Sequence, residues 1–254
     1  MRLVALVAVG LAAFWFGLVD RDWLDGRPVQ RVLWLGDSYT YANDLPAILA
    51  EMADSAPAPV RFDITVRAFA NASLEEHWND ARTRALLAEG GWDRVIVQPE
   101  TFVRVLDGDD PHFSYAGKLL AAASKARPAV VVSWTASEAH FAARSASRTE
   151  AFEAIESNHA GLAVRTGAEL IHVARVWEDL LADPPPFPLY SDGNHPSVQG
   201  SYAAALAIYA SLAMADPGEV IYVPRGMDGG QAALLRQRVC QSLQARQLAG
   251  FAGS

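Results

Sequence analysis

From Val29 onward, short β-branched or apolar runs alternate with longer stretches in which apolar residues recur at helical spacing. That alternation is the pattern of βα units wound on a mostly parallel sheet. Arg31–Leu35, Val60–Val66, Val95–Val97, Ala129–Ser133 and Glu169–Val173 read as five strands. Helices are expected over Leu45–Met52, Asn79–Leu87, Ser114–Ala126, Thr149–Thr166, Ser197–Met214 and Gln231–Leu248. Asp44, just ahead of Pro46, is expected to cap the first helix, and Gly90-Gly91 to end the second. The four prolines of Asp183–Pro188 remove backbone donors and fix φ, which excludes helix or central strand there and makes the stretch a surface loop. The expected fold class is α/β, a three-layer α/β/α arrangement on a mostly parallel sheet of about five strands, forming one domain over residues 27–250.

The N-terminus breaks this pattern. After Met1 and Arg2, an unbroken apolar run from Leu3 to Val19 is closed by Asp20-Arg21-Asp22. Residues 1–24 therefore read as a targeting segment, either a signal peptide or a membrane anchor. The run is short for a membrane span and long for a signal-peptide core. Its end, Phe14-Trp15-Phe16-Gly17-Leu18-Val19, offers no small-x-small cleavage site, which favours the uncleaved anchor. A buried helix of the folded domain is the third reading. Either export reading puts the rest of the chain in a periplasmic or extracellular space, with membrane contact through the N-terminal segment only.

Composition narrows the function classes. Of 254 residues, 51% are apolar, enough to bury a core, which excludes disorder as the main state. The formal net charge of −8 gives a field that repels phosphate backbones, so nucleic acid is not an expected partner. Cys240 is the one cysteine, so neither an intrachain disulfide nor a multi-cysteine metal site can form. Phosphate-binding Gly-rich loops, dinucleotide fingerprints, HExxH helices and Gly-x-Ser-x-Gly elbows are all missing, and no metal or organic cofactor is implied.

Two short motifs carry chemistry. Gly36-Asp37-Ser38-Tyr39 follows the first strand, and ligands of open parallel sheets bind beyond the carboxyl ends of strands. Turn and capping demands also favour Gly, Asp and Ser at such a place. Asp192-Gly193-Asn194-His195-Pro196-Ser197 precedes a helix, and its spacing lets a tight turn bring the carboxylate to one imidazole nitrogen while the other points into a cleft. A hydroxyl nucleophile needs a base within hydrogen-bond reach and a third group that orients the base. Ser38, His195 and Asp192 supply all three. His77 and Glu100 are candidate substrate contacts, though an amphipathic helix face and a loop cap account for them equally well. His112, His140, His159 and His172 show no ligand spacing with acidic partners and read as surface or core histidines. Asn71-Ala72-Ser73 matches the glycosylation sequon, a pattern common by chance.

In this order and on these elements, the two motifs resemble the first and last blocks of the SGNH/GDSL-type serine esterases and lipases. The resemblance runs from about Arg31 to Met214 and implies a flavodoxin-like fold, an ester substrate, and Ser38, His195 and Asp192 as nucleophile, base and orienting acid. The middle blocks depart from the family pattern. Where its oxyanion-hole glycine would stand, this chain has Ala70 or Asn71, and where its asparagine would stand it has Gln98. A backbone N–H serves from any non-proline residue, and glutamine carries the same amide on a stem one methylene longer. The implied hole is made of the Ser38 N–H, the N–H of Ala70 or Asn71, and the Gln98 amide. With Ser73–Trp78 and Trp92–Val95, this looks like a divergent branch with glutamine in the third block. The expected substrate is a small-molecule, glycan or lipid ester. An O-acyltransferase using the same residues, and a catalytically silent glycan- or lipid-binding protein, are the alternatives.

Overall fold

Five strands form one parallel sheet in the order β2-β1-β3-β4-β5: β1 Val29–Gly36, β2 Arg61–Ala68, β3 Arg94–Val97, β4 Arg127–Val131 and β5 Glu169–Ile171. The computed structural model describes residues 26–70, 72–99, 111–123, 125–142 and 147–252. Strand β1 shows why the sheet is covered on both faces. Val32 and Trp34 point to one core and Leu33 and Leu35 to the other, and all four are fully buried.

Ten α-helices are seen among the described residues: α1 Ser38–Tyr41, α2 Leu45–Ser55, α3 Leu74–Asn79, α4 Ala81–Glu89, α5 Pro111–Ala122, α6 Glu138–Ala142, α7 Arg148–Thr166, α8 Val173–Ala182, α9 Val198–Ala213 and α10 Gly229–Ala252. Apolar side chains of α2, α8, α9 and α10 pack on the Val32/Trp34 face. Those of α3, α4, α5 and α7 pack on the Leu33/Leu35 face. The result is the expected three-layer α/β/α fold. No helix among the described residues is long and apolar enough to cross a membrane. The expected targeting segment, residues 1–24, lies outside the described residues.

Three local expectations fail, each for an identifiable reason. The helix expected over Asn79–Leu87 breaks at Asp80, whose carboxylate accepts the Thr83 N–H to start α4 while its backbone ends α3. The strand expected to reach Val173 stops at Ile171. Val173, Ala174, Val176, Trp177 and Leu180 instead form the buried stripe of α8, a helix whose first residues run on from the apolar strand and are masked by it. Asp44 makes no side-chain cap to α2. An N-cap needs β-region backbone, and Asp44 is left-handed with φ 56°.

Topology locates the candidate site before any side chain is considered. The chain leaves β1 to one side for β2 and later returns to its other side as β3, so a crevice opens beyond the carboxyl ends of β1 and β3. Ligands of doubly wound sheets bind at that switch point. Ser38 follows β1 and Gln98 follows β3.

Candidate active site

The turn after β1 is built around a close approach. A Cβ on Gly36 would stand 1.9 Å from Thr40 Oγ1, so only glycine lets the Thr40 side chain lie back over the strand end. Thr40 donates from its hydroxyl to Gln98 Oε1 at 2.8 Å, and the Gln98 N–H donates to the Leu35 carbonyl at 2.8 Å. Asp37 caps α1 by accepting the Tyr39 N–H at 2.9 Å. Ser38 takes the first helical position, where its own N–H has no intrahelical acceptor.

His195 arrives on a loop that closes on itself. The Ser197 N–H donates to the Leu189 carbonyl at 2.8 Å, the Ser191 N–H to the His195 carbonyl at 2.9 Å, and Tyr190 and Pro196 form an antiparallel bridge. Inside this frame Asp192 Oδ1 accepts the N–H groups of Asn194 (2.9 Å) and His195 (2.7 Å). Its Oδ2 is left for His195 Nδ1 at 2.8 Å. Gly193 has φ 86°, so the turn favours glycine, and a Cβ there would come 2.9 Å from Ser137 Oγ. His195 Nε2 lies 3.0 Å from Ser38 Oγ. With Nδ1–H donated to the carboxylate, Nε2 is the nitrogen able to accept the serine proton.

The electrostatics favour that tautomer. The His195 hydrogen bond draws the Asp192 carboxyl down to about 2, with the Asn194 and His195 N–H groups adding to it and partial desolvation opposing it. Asp192 is therefore a carboxylate at neutral pH. Ser38 is 9% exposed, whereas the Asp192 side chain is 55% exposed, so the hydroxyl sits at the bottom of the site and the acid on its rim.

The remaining sequence candidates separate. Gln98 is 1% exposed at the end of β3, and its Nε2 has no hydrogen-bond partner among the described residues. Ala70 lies exposed in the turn after β2. Asn71 and Glu100 fall outside the described residues. His77 does not line a cleft: it is fully buried and tilted against Phe69, and its Nε2–H donates to the Gly36 carbonyl at 2.9 Å. Burial pushes its pKa down, so it braces the Gly36–Ser38 turn from behind as a neutral imidazole. His172 does have an acidic partner, Glu156 Oε2 at 3.1 Å, and Arg175 Nε bonds the same oxygen at 2.7 Å. That cluster ties α7 to α8. Among the described residues, no group of three or more His, Cys, Asp or Glu could hold a metal ion.

Sequence reasoning missed Thr40, Tyr39 and Asn43, which touch Gln98 or the base loop. For Thr40 no sequence signal exists, because its partner is 58 residues away. Asn43 and Asp44 are consecutive left-handed residues with φ 54° and 56°. Asn-Asp is a pair that tolerates this region, at a cost on the order of 1 kcal/mol each, so a kink there was the readable hint.

No protein-family model and no curated protein matches the chain. Solved structures do. A provisionally assigned SGNH hydrolase from Slackia heliotrinireducens is 29% identical, covers 74% of this chain and 100% of its own, and superposes with a TM-score of 0.62. A DUF4886 family protein from Bacteroides uniformis is 16% identical over 85% of this chain and 95% of its own, with a TM-score of 0.67. A catalytic mutant of an acetylxylan esterase from Geobacillus stearothermophilus is 11% identical over 73% of this chain and 93% of its own, with a TM-score of 0.53. The two more distant structures share the fold. The likeness to the SGNH-type hydrolases rests on the Slackia protein.

Proposed function

We propose that the protein is a serine esterase that hydrolyses a carboxylic ester through an acyl-enzyme on Ser38. The observation that carries this reading is the continuous Ser38–His195–Asp192 hydrogen-bond chain, 3.0 Å and 2.8 Å in its two links. Ser38 Oγ attacks the acyl carbon as His195 Nε2 takes its proton, and Asp192 steadies the imidazolium that forms. The Ser38 N–H, the Gln98 amide and a backbone N–H at Ala70 or Asn71 are the proposed donors to the tetrahedral oxyanion. Collapse breaks the ester C–O bond, and the alcohol leaves with the proton held on His195. Water then attacks the acyl-enzyme, His195 removes its proton, and the acid and free Ser38 are restored.

The substrate belongs to the same proposal. The acetylxylan esterase and the lipase/acylhydrolase of similar fold suggest an acylated carbohydrate or lipid, and placement outside the cytoplasm rests on the Leu3–Val19 run alone. The test is incubation with a fluorophosphonate probe, followed by a nitrophenyl ester series of increasing acyl length. Labelling of the parent and none of Ser38→Ala is the expected result. A folded parent that takes no label overturns the esterase reading and favours a binding protein that keeps the cleft.

A further inference from the structure

The turn that carries the nucleophile also carries the side chains that hold the base loop. Tyr39, next to Ser38, donates from its hydroxyl to Asn194 Oδ1 at 2.5 Å. Asn43 donates from Nδ2 to the Pro196 carbonyl at 3.0 Å and to Ser201 Oγ at 2.9 Å. Asn194 and Pro196 are the two chain neighbours of His195. The base is therefore gripped on both sides by residues from the segment that presents its proton donor.

The grip is itself held. The Tyr39 ring stacks on Trp134 with centroids 4.6 Å apart and planes 16° apart, and Trp134 stacks on Trp177 at 4.6 Å and 11°. The Trp134 indole N–H donates to the Asn194 carbonyl at 3.2 Å, a second hold on the same residue. The Tyr39 and His195 rings meet edge to face at 5.8 Å and 85°. On the other side, left-handed backbone at Asn43 and Asp44 interrupts the helical path between α1 and α2 at the residue whose amide reaches the base loop. A strained pair persists where the surroundings over-determine it, and it collects at functional sites.

We propose that Tyr39 and Asn43 are positioning residues that set the separation between Ser38 Oγ and His195 Nε2. This rests on the esterase reading. The internal bonds of the loop fix His195 against Asp192 but not against Ser38. The relation between base and nucleophile depends on contacts that cross from one loop to the other, and these two side chains supply them. A shift of about 1 Å between reacting groups costs on the order of 10²-fold in rate. The loss should fall on proton transfer, hence on kcat, and not on substrate affinity.

The test uses Tyr39→Phe, which keeps the ring stack, and Asn43→Gly, which keeps the left-handed backbone, singly and together in the full chain. Asn43→Asp, which keeps the shape and removes the donor, replaces Asn43→Gly if that variant does not fold. Fluorophosphonate labelling rate, kcat and KM on nitrophenyl acetate across pH, and the proton NMR resonance of His195 Nδ1–H are measured. Each single variant should slow labelling and kcat about tenfold, and the pair about 10²-fold, with KM within about twofold. The Nδ1–H resonance should broaden, and the acid limb of the pH–rate profile should move. A pair that labels at the parental rate with its resonance intact overturns the positioning role while leaving the esterase reading in place. A parent not labelled at Ser38 overturns both.

Discussion

Thr40 holds Gln98 by the oxygen end of its amide. The Thr40 hydroxyl donates to Oε1 at 2.8 Å, joining the carboxyl ends of β1 and β3 across the switch point, while the buried Nε2 has no partner among the described residues. A buried donor without a partner costs about 1–3 kcal/mol, so its retention beside a candidate nucleophile needs a reason. Service to a developing oxyanion is such a reason. Gln98→Met keeps the side-chain length and removes the donor, and should lower kcat on an activated ester about 10²-fold. Thr40→Val frees the amide to turn over and should lower kcat by a smaller factor. Steady-state kinetics on both variants decide the matter, and an unchanged kcat in Gln98→Met would remove Gln98 from the hole.

Gly36 is a packing requirement that looks like a turn requirement. Gly36→Ala puts a methyl 1.9 Å from Thr40 Oγ1 and 3.4 Å from Gln98 Cβ. The variant should lose about 1–3 kcal/mol of stability in urea unfolding, the usual cost of overpacking. Adding Thr40→Ala removes the atom that clashes and should return part of that loss. Strictly additive effects of the two changes would show that the close contact is not what demands glycine.

Burial of His77 predicts a pH-dependent stability. Its folded pKa lies below the ordinary value of about 6.5, so as pH falls through that value the unfolded chain takes up a proton that the folded protein refuses. Stability from His77 is complete above that pH and declines below it, by at most ~1.4 kcal/mol per pH unit, until the folded pKa is reached. His77→Gln retains a donor to the Gly36 carbonyl and removes the titration. Unfolding free energies at pH 7.5, 6.5 and 5.5 should therefore fall less steeply in the variant, and parallel curves would contradict the assignment.

Most of the sheet was legible because β1 to β4 are short apolar or alternating runs set off from their helices; the end of β5 was not, because its apolar residues run on into α8. In β1 two consecutive pairs alternate between two cores, and that alternation is written into Val32–Leu35. Ser38, Asp192 and His195 could be read as candidates because each motif is local: a strand end with a helix cap, and a turn in which one carboxylate takes two N–H groups and a ring nitrogen three residues on. His77 was misread for the opposite reason. Its position on a short amphipathic helix is compatible with a cleft or a core, and the choice depends on Gly36, 41 residues earlier.

Periodicity, turn chemistry and the two motifs determined the α/β class, the approximate strands and three candidate residues for acyl-transfer chemistry, because these depend on neighbours within a few positions. Tertiary structure alone decided that Ser38 and His195, 157 residues apart, stand 3.0 Å from each other. It also decided that Tyr39 and Asn43 hold the base loop, and that Thr40 orients the glutamine. Hydrogen bonds reach about 3 Å whatever the chain separation, so contacts between distant segments exist only once the sheet order has brought their loops to one rim.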